Sequence, residues 1–140
     1  MALVRRLGQA ALGVVFVTGG LDALRDPEPR AKKAAALGIA GRLGTDERTL
    51  VRANAAAMVA GGLALVTDTL PRLAALGLAA SMVPTTVAGH PFWEEADPVA
   101  RAGHRVHFAK NVSLAGGCLV LAGSPRRRRR ARRVPALPRP

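Results

Sequence analysis

The stretch "LGQAALGVVFVTGG", residues 7–20, has only Gln9 and Thr18 as polar side chains. A helix on the surface of a water-soluble protein needs a polar outward face, and two such residues cannot supply it. Three further runs share this character: Leu50–Val66, Leu73–Gly89 and "HFAKNVSLAGGCLVLAG" at 107–123. With the first run extended to Leu24, each is close to the length that crosses a hydrocarbon core of about 30 Å. Charged residues stand at the edges of these runs: Arg5 and Arg6, Asp22 and Arg25, Arg52, Asp68 and Arg72, Lys110 and Arg126. A charge at bilayer depth is costly, whereas a long basic side chain near a helix end reaches the headgroups. The fold expected is all-α, an integral membrane four-helix bundle over residues 1–125 with spans near 7–24, 50–67, 72–90 and 107–123.

Composition agrees with that reading. Of the 140 residues 49% are hydrophobic but only 3% aromatic, and tyrosine is absent, so Ala, Leu, Val and Gly carry the apolar mass. The formal charge of +12 is unevenly placed, because eight of the 21 basic residues lie in "RRRRRARRVPALPRP", residues 126–140. The remainder holds 13 basic against 9 acidic side chains, a net of +4. The basic segment is expected to be a disordered arginine/proline-rich cytoplasmic tail. Its Arg126, Arg127, Arg128, Arg129, Arg130, Arg132 and Arg133 are the candidates for binding anionic lipid or a protein partner. The body has no basic groove with aromatic platforms, so no nucleic-acid partner is expected. Cys118 is the single cysteine and excludes an intrachain disulfide. The first run resembles a signal-peptide core, but "GGLDALRDPEPR" after it lacks a small-x-small cleavage site, so an uncleaved span is expected.

Small residues recur every fourth position at Ala53, Ala57 and Gly61 and again at Ala109, Ser113 and Gly117. Such stripes let neighbouring spans approach closely, since lipid offers no hydrophobic drive. Pro84 interrupts the hydrogen-bond ladder of the third span. In the first loop Pro27 and Pro29 end the first helix, "AKKAAALGIAGRLG" (31–44) reads as a short amphipathic helix, and Thr45 or Asp46 caps the second span.

Four spans put both ends of the chain on one side, and the seven tail arginines with Arg5, Arg6 and Arg72 assign that side to the cytoplasm. Asp22, Asn54, His90, Trp93, His107, Lys110 and Asn111 then share the outer end, with Phe92 beside Trp93. Each has a plain explanation: aromatic anchoring, a snorkelling lysine, loop histidines, or mutual neutralisation of Asp22 and Lys110. Together they offer carboxylate, imidazole, ammonium and amide beside an aromatic wall, a pocket for a polar head group such as a quinone entering from lipid. His104 and His107, three apart, face together on a helix with His90 or Glu94 as a third donor, but no strong metal motif is present and no metal is expected. There is no phosphate loop, paired-cysteine motif or serine nucleophile elbow.

The segments "VVFVTGGLDALRDP" (14–27), "RANAAAMVAGGLAL" (52–65), "PRLAALGLAASMVPTTVAGHPFW" (71–93) and "FAKNVSLAGGCLVLAG" (108–123) together resemble the DoxX family of small bacterial membrane proteins. The resemblance runs from about residue 4 to residue 123 and leaves out the arginine tail. It implies a multi-pass, four-span helical protein of the bacterial cytoplasmic membrane. Some members are similar to a subunit of an archaeal thiosulfate:quinone oxidoreductase, and others are linked to oxidative-stress or thiol-redox complexes. Many relatives carry a lysine just after the glycine-leucine of the first span, where this chain has Ala23 beside Asp22. The functional expectation is an integral membrane subunit or accessory protein of a quinone-linked or thiol/oxidative-stress redox system. Quinone is the expected cofactor, and membrane lipid and redox-complex proteins the expected partners. Enzymatic activity stays open: with no cofactor motif in the chain, catalysis belongs to a complex and to the quinone's own chemistry. The alternative is a non-catalytic membrane scaffold that binds anionic lipid or a protein partner.

Overall fold

A computed structural model describes residues 2–124. They form six helices: α1 (Ala2–Arg25), α2 (Glu28–Ala35), α3 (Ile39–Arg42), α4 (Glu47–Val66), α5 (Pro71–Gly89) and α6 (Pro98–Gly123). Among the described residues there is no strand. Helices α1, α4, α5 and α6 are each long and apolar enough to cross a membrane. Val14, Leu63, Leu76, Val83, Leu119 and Val120 all point outward, and exposed large hydrophobics outnumber buried ones among the described residues. That surface suits lipid rather than water. Polar side chains on the outside are satisfied one turn back along their own helix: the Thr18 hydroxyl donates to Val14 O at 3.0 Å and Ser113 to Ala109 O at 2.9 Å. Neither hydroxyl is left orphaned in hydrocarbon.

Local chemistry moves two of the expected boundaries. The helix that contains the fourth expected span starts at Pro98, because Asp97 caps it, accepting from the Ala100 amide at 2.7 Å, and Pro98 occupies the first turn. The single amphipathic helix expected over 31–44 is instead α2 and α3, parted at Gly38, whose φ of +60° is left-handed. Of the two cap candidates before α4, Asp46 is the cap and accepts from the Thr49 amide at 2.9 Å.

Helix α1 packs most extensively on α4 and α5 on α6, with α4 and α5 joining the pairs. At the α1–α4 seam the two backbones touch. A Cβ placed on Gly13 would stand 2.6 Å from the Gly62 carbonyl oxygen, one on Gly62 would stand 2.7 Å from that of Gly13, and one on Gly20 would stand 2.8 Å from that of Ala55. The expected small-residue stripes are largely not the contact surfaces. Ala53, Ala57, Ala109 and Ser113 are exposed, Gly116 has no neighbour within 4 Å, and Gly117 meets only Leu12 at an ordinary 3.6 Å. Only Gly61 of those stripes makes a close approach, against Leu78. Fourfold spacing places residues on one face, but the partner decides which face is used. The core is small, with Phe16, Leu65, Leu78 and Cys118 fully buried.

The two ends of the bundle differ in kind. The near end carries the start of α1, the end of α4, the start of α5 and the end of α6, where the Arg72 guanidinium contacts the Ser124 carbonyl. There Gln9, only 3% exposed, donates from Nε2 to Leu65 O at 2.8 Å and to Asp68 Oδ1 at 2.9 Å. At the far end α2 lies across α4 and α5, tied to α4 by the Glu28–Arg48 ion pair and to the end of α5 by Lys33, whose Nζ donates to Gly89 O at 3.2 Å.

Candidate functional site

A cavity of about 580 Å³ opens at the far end, among α1, α2, α4, α5 and α6. Its walls are mainly apolar, from Val15, Phe16, Met58, Met82, Pro84 and Leu114. Asn54, Thr85, His90, Lys110 and Asn111 add polar groups, and Arg30 and Lys33 of α2 complete the rim. The volume falls within the range of small-ligand pockets, and a few polar groups on an apolar lining is their usual composition.

Each polar group is placed by its helix. Asn54, near the start of α4, donates from Nδ2 to Thr85 Oγ1 at 3.2 Å, and Thr85 in turn donates to Ser81 O at 2.8 Å. Asn111 is 7% exposed and lines the cavity without a hydrogen-bond partner among the described residues. Its amide opens onto the cavity, where a ligand or water can satisfy it. With α6 beginning at Pro98, Lys110 and Asn111 lie in the middle of that helix rather than at its mouth.

His90 follows the last residue of α5 and forms part of the cavity wall. Its ring stacks on His107 at 5.0 Å between centroids, 16° from parallel, and lies 5.5 Å from His104, tilted by 57°. The Nδ1 atoms of His90 and His104 are buried without partners. Burial, aided by His107, His104, Lys33 and Lys110, pushes His90 down to about 4, so its imidazole is neutral at pH 7. Parallel rings direct their nitrogen lone pairs into separate planes rather than onto one centre. Accordingly, no group of three His, Cys, Asp or Glu among the described residues is arranged to hold a metal ion.

The seven expected site residues are thus divided. Asn54, His90, Lys110 and Asn111 line the cavity, and His107 reaches it through His90. Trp93 stands apart, half exposed, in an edge-to-face cluster with Phe92 and Phe108 at 5.1 and 6.0 Å. Asp22 does not neutralise Lys110: its carboxylate pairs with Arg30 at 2.6 Å, because α2 folds back over the end of α1. Arg126, Arg127, Arg128, Arg129, Arg130, Arg132 and Arg133 lie outside the described residues. Sequence reasoning missed Arg30, Lys33 and Thr85. Lys33 lies in the 31–44 segment that reads as a short amphipathic helix, and Arg30 stands immediately before it.

No curated protein and no solved structure matches the chain. The family match that does exist ends before α6, so the placement of Lys110 and Asn111 rests on the geometry of this chain alone. It covers α1 to α5, including both backbones of the α1–α4 seam and the cavity walls up to His90. With the DoxX family model matching residues 3–91, more than half of its length, this four-span chain belongs to the DoxX family.

Proposed function

We propose that the protein is an integral membrane subunit or accessory protein of a quinone-linked or thiol/oxidative-stress redox system in a bacterial cytoplasmic membrane, and that its far-end cavity receives a quinone head group from lipid. The observation that carries this reading is Asn111, a largely buried residue whose amide makes no hydrogen bond among the described residues and opens onto an apolar-walled cavity between helices. Intramembrane polar groups left in that state mark binding or transport sites by default.

A quinone head offers two carbonyl acceptors on a flat apolar ring. The Asn111 amide and the Lys110 ammonium are donors for one carbonyl, and the neutral imidazole of His90 is a donor for the other. Phe16, Met82 and Leu114 supply an apolar surface for the ring and the first part of its tail. When bound, the quinone supplies the electron-transfer chemistry; the chain's own residues bind, orient and exclude water. Electrons then come from or pass to a partner protein, which is the role of a subunit rather than of a separate enzyme. Both termini and the arginine tail are placed on the cytoplasmic side, with the cavity facing the opposite side. Four spans and the density of tail arginines support that assignment.

The test is binding of decylubiquinone and of a short-tailed menaquinone analogue to protein purified in mild detergent. Asn111→Ala, Lys110→Ala and His90→Ala should each weaken binding about fivefold, the worth of one hydrogen bond. Unchanged affinity in all three variants removes the cavity as a quinone site. Co-purification of partner proteins from native membranes tests the subunit role.

A further inference from the structure

The rim of the cavity carries more positive charge than a neutral head group requires. Arg30, Lys33 and Lys110 line it, and neither Asp nor Glu does. Arg30 is matched by Asp22, which lies outside the lining. Lys33 donates to a neutral carbonyl, that of Gly89, and Lys110 makes no ion pair or hydrogen bond among the described residues. Two ammonium groups from different helices, α2 and α6, therefore face one cavity with no counter-charge.

Simple snorkelling accounts for a lysine that leans away from the bundle toward bulk headgroups. Lys33 and Lys110 are both exposed, but snorkelling does not account for their bordering one cavity, with Lys33 tethered to the carbonyl end of α5. A ligand that satisfies this arrangement needs negative charge at the rim and hydrocarbon below it, against Phe16, Met58, Met82 and Leu114.

We propose that the cavity binds a phosphate-type oxyanion between Lys33 and Lys110, carried by an amphiphile whose hydrocarbon part lies on the apolar wall. The inference shares with the quinone reading the premise that the cavity receives a head group, but it assigns a different chemistry. The oxyanion can come from a phospholipid or from free phosphate; the depth of apolar wall favours the lipid.

The experiment uses the full chain in nonionic detergent micelles. Dioleoylphosphatidylglycerol is compared with dioleoylglycerol, which has the same chains and no phosphate, and inorganic phosphate is titrated separately. The phospholipid should bind at least tenfold more tightly than the diacylglycerol. Lys33→Gln with Lys110→Gln should reduce its affinity on the order of tenfold or more, and Lys33→Arg with Lys110→Arg should retain it. Arg42→Gln with Arg52→Gln, which removes two cations outside the cavity lining, should change it less than twofold. Inorganic phosphate binding that the glutamine pair abolishes supports the site with a water-borne source. Equal binding of the two lipids, equal loss in both glutamine pairs, or an arginine pair no better than the glutamine pair at 33 and 110 overturns it. Quinone binding is measured on the same preparations: its absence beside selective phospholipid binding removes the quinone reading and leaves this one standing.

Discussion

At the near end of the bundle polar side chains bind one another across the helices, with Gln9 Oε1 alone left buried and unpaired among the described residues, whereas at the far end several polar side chains border an open cavity. Near the chain termini, Gln9 bridges α1 to the Leu65 carbonyl and the Asp68 carboxylate, and Arg6 stands 3.7 Å from the same carboxylate. That network holds a tight turn in which Asp68 and Leu70 both adopt left-handed φ, 57° and 46°, a conformation that costs non-glycine residues about 1–3 kcal/mol each. At the far end the buried Nδ1 atoms of His90 and His104 have no partner among the described residues, and Asn111 and the exposed Lys110 border the cavity without a hydrogen bond there. A rigid closed end and an open polar end are what a membrane bundle needs if it is to hold a ligand without coming apart. The glycine seam between α1 and α4 runs along the bundle from one end toward the other.

The sharpest way to break the comparison is at that seam. Gly62→Leu would drive a side chain into the Gly13 carbonyl and Val17, and because backbone is the obstacle, no rotamer relieves it. The expected cost is about 3 kcal/mol, the upper part of the range for overpacking. It should appear as loss of the folded species in detergent, or as a large fall in Tm. Gly116→Leu, which meets nothing within 4 Å, should leave Tm nearly unchanged. Equal effects at the two positions would contradict the assignment of α1 and α4 as the tight pair.

That contrast also shows what could be read in advance. Four apolar runs with charges at their edges give the number and approximate length of the spans, because the bilayer imposes both on sequence. Gly62 and Gly116 look alike in one dimension, each in a Gly-Gly pair, and only the rotation of each helix separates a seam glycine from a lipid-facing one. The start of α6 was legible but overlooked: Asp97-Pro98 is a cap followed by a first-turn proline. His104 and His107 share a helix face by spacing, yet His90 joins them only because α5 ends level with residue 107. The pairing of Asp22 with Arg30 rather than Lys110 depends on the turn at Asp26 and Pro27 that folds α2 back.

A smaller effect tests the closed end. Gln9→Leu removes two hydrogen bonds, but it also removes the buried Gln9 Oε1, which has no partner. The Leu65 carbonyl keeps the Asp68 amide at 3.2 Å. The net loss should be about 1 kcal/mol, seen as a modest drop in Tm, with quinone and lipid binding at the far end unaltered.

The open end should respond to pH over a window set by His90. Its folded value of about 4 lies below the ordinary histidine value of 6.5, so between the two the unfolded chain binds more protons. Stability therefore rises with pH through that window and, read downward, is lost as pH falls from about 6.5 toward about 4. His104, His107, Lys33 and Lys110 all face the same group and act in the same direction. The Glu28 and Asp46 carboxyl groups are held below their ordinary values, the first by the hydrogen bond from Arg48 and the second by that from Thr49. Their contributions persist through the upper part of the His90 window and are lost in more acidic solution. Thermal unfolding followed from pH 7 to pH 4.5 should show a decline that His90→Gln flattens. A variant with the wild-type slope would mean that another group governs this range.

The smallest expected effect on stability carries the most information about function. Asn111→Leu replaces an amide that opens onto an apolar-walled cavity, and makes no hydrogen bond among the described residues, by a hydrocarbon of similar size. A side chain serving the fold would cost stability on removal, as Gln9 should. A side chain kept for a ligand costs little, since its amide makes no hydrogen bond among the described residues that the substitution would remove. Tm in detergent should therefore stay level or rise by a few degrees, while decylubiquinone affinity falls. If Tm instead falls as far as in Gln9→Leu and ligand affinity is unchanged, Asn111 belongs to the architecture of the far end. The distinction between an end spent on folding and an end reserved for binding would then fail at the residue on which it most depends.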